Sequence, residues 1–257
     1  MSDNAKYNIP ILSKGMELME LISDNPLGLT IQEMVNKLSH SKTSVYRIVC
    51  SLEEMGYLRK DEISGRFFLT RKLFRIGVSA LGTTTIIEHA YEPMRQLRDL
   101  IKETVVLGAL AKNKVVIMEQ ILGLHHFSFS LKPGMEVCLH ASAPGKVILS
   151  QLELPEYETI LKSIEYVKFN DKTITNRKAL EKELDMVRKN GYALDWGEEL
   201  IGVRCIGAPV FNLAGKVAAA VWITGPSDRI PEAAVKDYSI KVVNCAKVIS
   251  QKIGYRN

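Results

Sequence analysis

Cys205 is the residue of this sequence best suited to covalent chemistry, because a thiol beside a cationic side chain can act as a nucleophile. It follows Arg204 in the segment GVRCIGAPV, and His140 is a conceivable base. Neighbouring residues of a strand point to opposite faces, so a strand through this segment would turn Arg204 away from the sulfur. A cysteine among Val, Ile and Ala is also typical of a small buried hydrophobic side chain. The sequence therefore favours Cys205 as a buried apolar side chain over Cys205 as the nucleophile of an enzyme.

A second group of residues could bind a metal ion. Thiol and imidazole groups, which bind zinc, occur in one region of the sequence at Cys138, His140, His125 and His126. Their spacing matches no established ligand pattern, and adjacent histidines on a strand diverge. Zinc binding stays open as an alternative, but the prediction includes no metal and no cofactor.

A third group consists of carboxylates. Asp195, Glu198 and Glu199 could act as a paired acid and base, although such a trio is more often a solvated loop. An enzyme needs a nucleophile with its base, or a metal with an open position, and neither is evident. We therefore predict a protein that is not an enzyme.

Composition places the chain among globular proteins. Its 257 residues are 46% apolar and 25% charged, and its four cysteines form no CxxC pair. Free thiols are typical of a reducing compartment. The sequence contains no run of 18 apolar residues and no basic-then-apolar leader, so we expect a cytoplasmic protein that does not enter a membrane.

Positive charge is concentrated in one short segment. The formal net charge is +5, and the stretch from Lys37 to Arg75 holds nine basic and four acidic residues, which accounts for the whole surplus. A local basic stripe of this kind favours a polyanionic partner.

The same segment has the layout of a winged helix-turn-helix. Two short amphipathic helices are predicted in TIQEMVNKL and SKTSVYRIVCSLEEMG, followed by a hairpin in YLRKDEISGRFFLT and a further helix in RKLFRIGVSALG. Side chains that reach base edges and phosphates would project from the second helix and flank the hairpin turn. These candidate contacts with double-stranded DNA are Ser41, Lys42, Thr43, Ser44, Tyr46 and Arg47 on the helix, with Lys60 and Arg66 at the hairpin. A packing module with a solvated polar face, or a binding module that acts through protein contacts alone, is the alternative.

The remainder of the chain, from about Thr83, alternates helices with paired strands. A hairpin turning at KNK, a strand-like HFSFSL, two apolar strands joined at NLAG and a long final helix predict an α+β domain around an antiparallel sheet.

Three segments carry a resemblance to a known family. LTIQEMVNKLSHSKTSVYRIVCSLEEMGYL, GMEVCLHASAPGKVILSQL and GYALDWGEELIGVRCIGAPVFNLAGKVAAAVWITGPSDRI together closely resemble the IclR family of bacterial transcription regulators. The resemblance implies an α+β two-domain protein. Its expected parts are a winged helix-turn-helix at 1–70, a linker helix at 71–82 and an effector-binding domain at 83–257, GAF/PAS-like with an antiparallel sheet. It also implies operator DNA as partner, a homodimer or dimer of dimers, and a small-molecule effector such as an organic, aromatic or sugar acid.

Carried over position by position, the resemblance also implies an effector site. Its residues would be Phe129, Val137, Ala143, Pro144, Asp195, Val203, Cys205, Trp222 and Thr224. The sequence departs from the family pattern at Pro144, which has no N–H to donate, and at Trp222, which stands where a serine is common. Trp222 would either fill the cavity or offer a flat apolar wall. Both departures argue against the smallest acids as ligands. Ser39 also replaces a glycine that is common in the turn before the second helix.

Overall fold

The structure is a computed structural model that describes residues 9–80 and 86–256; for residues 77–80 it describes the backbone alone. The chain divides into two compact units, the first ending at residue 83 and the second beginning at residue 84. Each unit has its own hydrophobic core.

The first unit is a winged helix-turn-helix, as predicted. Its elements are α1 (Pro10–Ser23), α2 (Ile31–Lys37), α3 (Lys42–Glu54), β1 (Leu58–Lys60), β2 (Phe67–Leu69) and α4 (Arg71–Ala80). The strands pair antiparallel, with Leu58 opposite Leu69. Apolar side chains from the first three helices and both strands form one core, which includes Leu18, Met34, Val45, Val49, Leu58 and Phe67.

Local signals explain where these helices begin. The Thr30 hydroxyl accepts the Glu33 N–H while the Glu33 carboxylate accepts the Thr30 N–H, which is a capping box at the start of α2. The Ser41 hydroxyl accepts the Ser44 N–H and begins α3. Gly56, with φ of 75°, follows the last turn of α3, where a left-handed residue commonly ends a helix.

The second unit is an α+β domain with a GAF/PAS-like arrangement around one sheet. Its helices are α5 (Ile86–Ile101), α6 (Ala143–Gln151), α7 (Glu156–Ser163), α8 (Arg177–Asn190) and α9 (Val235–Lys252). Its strands are β3 (Thr104–Ala111), β4 (Lys114–Ile121), β5 (Glu136–Cys138), β6 (Ala193–Asp195), β7 (Val203–Phe211) and β8 (Val217–Pro226). The six strands run antiparallel in the order β5-β4-β3-β8-β7-β6.

Apolar residues line both faces of this sheet, which is why it has helices on both sides. On one face, Leu107, Ile206 and Val221 form a core with α5 and α9. On the other, Val106, Ala220 and Trp222 form a core with α6 and α8. Alternate residues of each strand therefore belong to different cores, and the side chain of Cys205 lies on the α6 face.

Three features of the second unit differ from the prediction. The segment HFSFSL forms no strand, because side chains bind its backbone: the Thr104 hydroxyl donates to the Phe129 carbonyl (2.8 Å) and the Leu131 N–H donates to Gln120 Oε1 (2.8 Å). The final helix begins at Val235 after a 3₁₀ turn, Glu232–Ala234. The prediction also missed α7 and two strands of three residues each, β5 and β6. Within the described ranges, no helix is both long enough and apolar enough to cross a membrane.

Candidate functional site

The solvent face of α3 carries the polar residues that the sequence predicted there. Lys42, Thr43, Tyr46 and Arg47 are exposed, Ser41 caps the helix, and Ser44 is half-buried. The opposite face is buried and apolar through Val45, Ile48, Val49 and Leu52. The core therefore fixes which side of α3 faces outward, and that side presents donors and a guanidinium to a partner.

Arg47 and Tyr46, both on this face, differ in their interactions with the rest of the chain. Arg47 makes no hydrogen bond or ion pair with any residue that the structure describes, so its five N–H donors are available. Tyr46 interacts with the Cys50 thiol, which raises the pKa of the phenol and keeps it a neutral hydrogen-bonding group.

The basic residues of the hairpin are engaged within the chain. Lys60 Nζ lies 3.2 Å from Glu62 Oε2 in an exposed pair. The Arg66 guanidinium donates twice to the Glu33 carboxylate, at 2.8 and 2.9 Å, and once to the Gly28 carbonyl at 2.7 Å. The Thr30 N–H and Arg66 lower the pKa of Glu33, so this pair stays ionised. Arg66 therefore links the hairpin to α2, and these bonds engage three of its five N–H donors.

In the second unit, three residues of the implied effector site are cross-strand neighbours. Cys205 on β7 pairs with Asp195 on β6 and with Thr224 on β8. Cys205 Sγ lies 3.4 Å from Thr224 Oγ1. Val203 lies two residues from Cys205 on the same strand and therefore on the same face. The structure thus brings four of the nine implied residues together at one end of the sheet.

Asp195 is buried, and the hydrogen bonds to its carboxylate reach only one of the two oxygens. Its Oδ1 accepts the N–H groups of Gly197 (2.9 Å) and Glu198 (2.8 Å), which forms the tight turn after β6. Burial raises the pKa of the Asp195 carboxyl, although these two N–H donors and the charge of Lys146 act in the opposite direction. Asp195 Oδ2 accepts no hydrogen bond from a described residue, so it is available to a ligand donor.

The loop before α6 is anchored more tightly than the sequence indicates. The Ser142 hydroxyl accepts the Gly145 N–H at 3.1 Å and donates to the Cys138 carbonyl. A Cβ on Gly145 would overlap the backbone of Leu139, so only glycine fits there. Because Pro144 has no N–H and that of Gly145 is used, Ala143 supplies the N–H left at this helix start.

The remaining implied residues lie around this end of the α6 core. Trp222 is 2% exposed and fills the space between Gly108 and Gly207, so its ring is part of the interior rather than an open wall. Phe129 is half-buried, and its carbonyl accepts from Thr104, the residue paired with Thr224. Val137, on β5, packs at the edge of the same core.

The environment of Cys205 does not suit nucleophilic chemistry. Burial raises the pKa of its thiol, and the nearby Asp195 charge adds to the effect. Arg204 lies on the other face, as expected, where it is 4.4 Å from the centroid of the Trp196 ring and donates to the Ile230 carbonyl at 2.8 Å. His140 donates to the Val167 carbonyl, so it is not paired with the sulfur.

The residues of the zinc alternative bind different partners. His125 Nε2 lies 3.2 Å from the Glu103 carboxylate, the buried His140 ring lies against Tyr166 and Phe169, and Cys138 contacts Glu199. Across residues 9–80 and 86–256, no group of three or more His, Cys, Asp or Glu side chains is arranged to hold a metal ion.

A buried ion pair was missed at the sequence level. Lys146 and Glu198 are 1% and 5% exposed, and Lys146 Nζ donates to the Glu198 carboxylate and, at 2.9 Å, to the Leu194 carbonyl. The solvated-loop interpretation of the acidic trio is therefore wrong for Asp195 and Glu198 and holds only for Glu199, which is exposed. The available signal was a single lysine inside the otherwise uncharged helix APGKVILSQ.

Two models of one family of regulators together match most of the chain. Residues 11–62 match the model described as the IclR helix-turn-helix domain, and residues 78–251 match that of the bacterial transcriptional regulator IclR C-terminal domain. The chain belongs to the IclR family. It is thus a DNA-binding transcription regulator with a C-terminal effector domain, and members of this kind are regulators rather than enzymes.

Individual IclR-family relatives cover nearly the entire sequence. The HTH-type transcriptional regulator KdgR of Escherichia coli (strain K12) is 34% identical over 93% of this chain and 90% of its own length. KipR of Bacillus subtilis (strain 168) is 34% identical over 94% of this chain and 96% of its own. The crystal structure of the Thermotoga maritima IclR superposes with a TM-score of 0.73 at 30% identity, covering 95% of this chain and 98% of that one.

Proposed function

We propose that this IclR-family regulator reads its operator through the solvent face of α3. The observation that carries the proposal is Arg47, which has no partner among the described residues and lies on an exposed helical face that also presents Lys42, Thr43 and Tyr46. Arginine pairs with guanine edges or phosphates, and the Tyr46 hydroxyl and Thr43 hydroxyl can bind either. Lys60 reaches the backbone from the hairpin only if it exchanges Glu62 for a phosphate. Arg66 supports this surface through Glu33 and is left out of the contact set.

The effector of the second unit, in this proposal, is a small organic, aromatic or sugar acid. Its hydroxyl or protonated carboxyl would donate to Asp195 Oδ2, and its oxygens would accept from the Thr224 hydroxyl and the Ala143 N–H. Val203, Cys205, Phe129 and Val137 would supply apolar contact around it. Because the Trp222 ring already fills the interior, the size of the ligand is limited by how far the surrounding loops open.

Binding would change operator affinity by favouring one arrangement of an oligomer. We propose a homodimer or a dimer of dimers in which α4, part of the predicted linker 71–82, transmits the difference between two states. Residues 81 and 82 of that linker lie outside the described residues. A ligand shifts this equilibrium only by its difference in affinity for the two states.

The DNA part is tested by selecting binding sites from a pool of random duplex DNA with the full chain. We expect an enriched two-fold symmetric motif, and we expect Arg47→Ala to weaken binding to it by about 1–3 kcal/mol if Arg47 reads a base. Lys168→Ala, in the second unit, is the control and leaves affinity unchanged. No enriched motif, or an Arg47→Ala protein with unchanged affinity and salt dependence, would overturn the assignment.

The effector part is tested by a thermal-shift screen of organic, aromatic and sugar acids on the full chain. A binding acid raises the melting temperature, and Asp195→Asn and Thr224→Val reduce that rise, whereas the exposed control Asp171→Asn does not. If zinc chloride raises the melting temperature and no acid does, a metal sensor replaces this proposal.

A further inference from the structure

The segment Tyr166–Thr173, between α7 and α8, contacts two elements of the proposed effector site, the loop before α6 and the turn after β6. It forms neither helix nor strand, and we call it the strap. One end touches His140, which precedes the loop of Ala143 and Pro144. The other end touches the turn after β6 that begins at Asp195. These two contact regions are far apart in sequence, so the strap joins elements that the chain itself does not keep together.

At the first end, the strap holds a buried histidine from three sides. His140 is 2% exposed, and its Nε2–H donates to the Val167 carbonyl at 3.0 Å, because a carbonyl can only accept. The Phe169 ring stacks on the imidazole with centroids 6.1 Å apart, and the Tyr166 ring meets it edge-on at 5.5 Å. The start of the loop before α6 is thus fixed in position by the strap.

At the second end, strap side chains bind the backbone of the turn. Asn170 Nδ2 donates to the carbonyls of Gly197 and Glu198, both at 3.0 Å, and the Thr173 hydroxyl donates to the Glu198 carbonyl at 2.6 Å. The N–H groups of the same two residues donate to Asp195 Oδ1. The turn is therefore held through its N–H groups by Asp195 and through its carbonyls by the strap.

The strap also has its own internal order, which makes it a defined element. The Thr173 hydroxyl accepts the N–H groups of Phe169 (3.1 Å) and Asn170 (3.0 Å), and Asn170 Oδ1 accepts the Lys172 N–H at 2.8 Å. Thr173 Oγ1 therefore donates outward to the turn while it accepts from within the strap. The same two side chains, Asn170 and Thr173, close the strap and attach it to the turn, and Lys172 Nζ adds a bond to the Trp196 carbonyl at 3.1 Å.

We infer that the strap is the positioning element of the effector site, and that Asn170, Thr173 and His140 are its positioning residues. This rests on the proposed function, because the site is defined by it. Asp195 pairs with Cys205 across β6 and β7, and Cys205 is half-buried, so we expect the anchored turn to limit access to its thiol. Release of the strap at Asn170 or Thr173 lets the turn move away from Cys205 and separates Asp195 from the loop of Ala143.

The test measures iodoacetamide labelling of each cysteine in the full chain by peptide mass spectrometry. Asn170→Ala and Thr173→Val remove bonds to the turn, and Thr173→Ser restores the hydroxyl. We expect about a tenfold faster labelling of Cys205 in the first two variants, the effect of losing one or two hydrogen bonds from a local opening equilibrium, and recovery in Thr173→Ser. The pH profile of Cys205 labelling also moves to lower pH, because the burial that raises the thiol pKa is relieved.

Two internal controls separate positioning from general destabilisation. Cys245 lies in the core on the opposite face of the sheet, so its labelling reports opening of the whole unit. Lys168→Ala removes an exposed strap ion pair with Asp171 and leaves Cys205 unchanged. Equal acceleration at Cys245, or no change at Cys205, overturns the proposal. Since no effector is used, this result does not depend on whether any acid binds.

Discussion

Lys146, in the first turn of α6, is paired in the interior with Glu198, which follows β6, and both side chains are almost completely excluded from solvent. The pair joins the helix that begins the proposed effector site to the turn that bears Asp195. Glu198 Oε2 has no hydrogen-bond partner among the described residues, and burial raises the pKa of this carboxyl against the effect of Lys146. The charge of Lys146 also acts to lower the pKa of the buried Asp195 carboxyl, and Lys146 Nζ lies 3.5 Å from the half-exposed Glu183 carboxylate.

Replacing Lys146 by an uncharged residue should destabilise the second unit. We expect Lys146→Met to destabilise the second unit by about 3–5 kcal/mol at neutral pH, because it leaves a buried carboxylate unpaired. The deficit shrinks as the pH falls, since a protonated Glu198 needs no partner. Urea unfolding of the wild type and the variant at several pH values measures this difference in unfolding free energy. The double variant Lys146→Met, Glu198→Gln recovers part of the loss, and an equal loss in both variants would contradict this account.

Asp195 should give stability an unusual pH dependence. Its folded pKa is raised above the ordinary 3.8, so its contribution is complete below that value and is lost as pH rises through the folded pKa. An asparagine side chain cannot titrate, so the wild type should lose stability relative to Asp195→Asn across that window. Unfolding free energies of both proteins against pH test the sign. The exposed control Asp171→Asn shows no such trend, and a difference that grows in the other direction would refute the expectation.

Replacing two arginines of the first unit should affect two different properties, stability for Arg66 and operator binding for Arg47. Arg66 is bound to Glu33 and to the Gly28 carbonyl, so Arg66→Ala should lower the melting temperature of the first unit. Arg47 has no partner among the described residues, so Arg47→Ala should leave the melting temperature unchanged and weaken operator binding. Circular dichroism melting and DNA titration of both variants make the comparison. An Arg47→Ala protein that melts early would show that Arg47 has a structural role instead.

Two glycines should respond oppositely to the same change. Gly145→Ala places a Cβ against the Leu139 backbone and should destabilise the second unit by about 3 kcal/mol or more. Gly15→Ala lies inside α1, where its Cβ would meet Ile48 at an ordinary 3.8 Å, and should stabilise the first unit by about 0.5–1 kcal/mol. Chemical unfolding of the two variants and the wild type measures both changes in unfolding free energy. A Gly145→Ala protein as stable as the wild type would contradict the close packing of Gly145 against the Leu139 backbone.

The helix-turn-helix could be predicted because its signals are local. Thr30 and Ser41 mark helix starts, and the spacing of Val45, Ile48, Val49 and Leu52 marks a buried face, all within one or two turns. The grouping of Asp195, Cys205 and Thr224 came from the family resemblance, and the strand register supplies its physical basis.

The contacts that sequence reasoning missed join distant residues. Lys146 and Glu198 are 52 positions apart, and Arg66 and Glu33 are 33 apart, so no short pattern reveals either pair. The sequence placed Glu198 in a solvated loop, whereas it is buried, because exposure is a property of the packed chain. Strand β6, with three residues, is too short for alternation to identify.

The stacking of Arg204 on Trp196 gives the protein an internal optical reporter. The chain has two tryptophans. Trp222 is enclosed in the interior, whereas Trp196 stands in the turn that the strap holds, with a guanidinium over its indole. Emission from Trp222 should stay constant while that of Trp196 follows any displacement of the turn. Movement at the proposed effector site can therefore be followed in solution by the fluorescence of Trp196, without an added label.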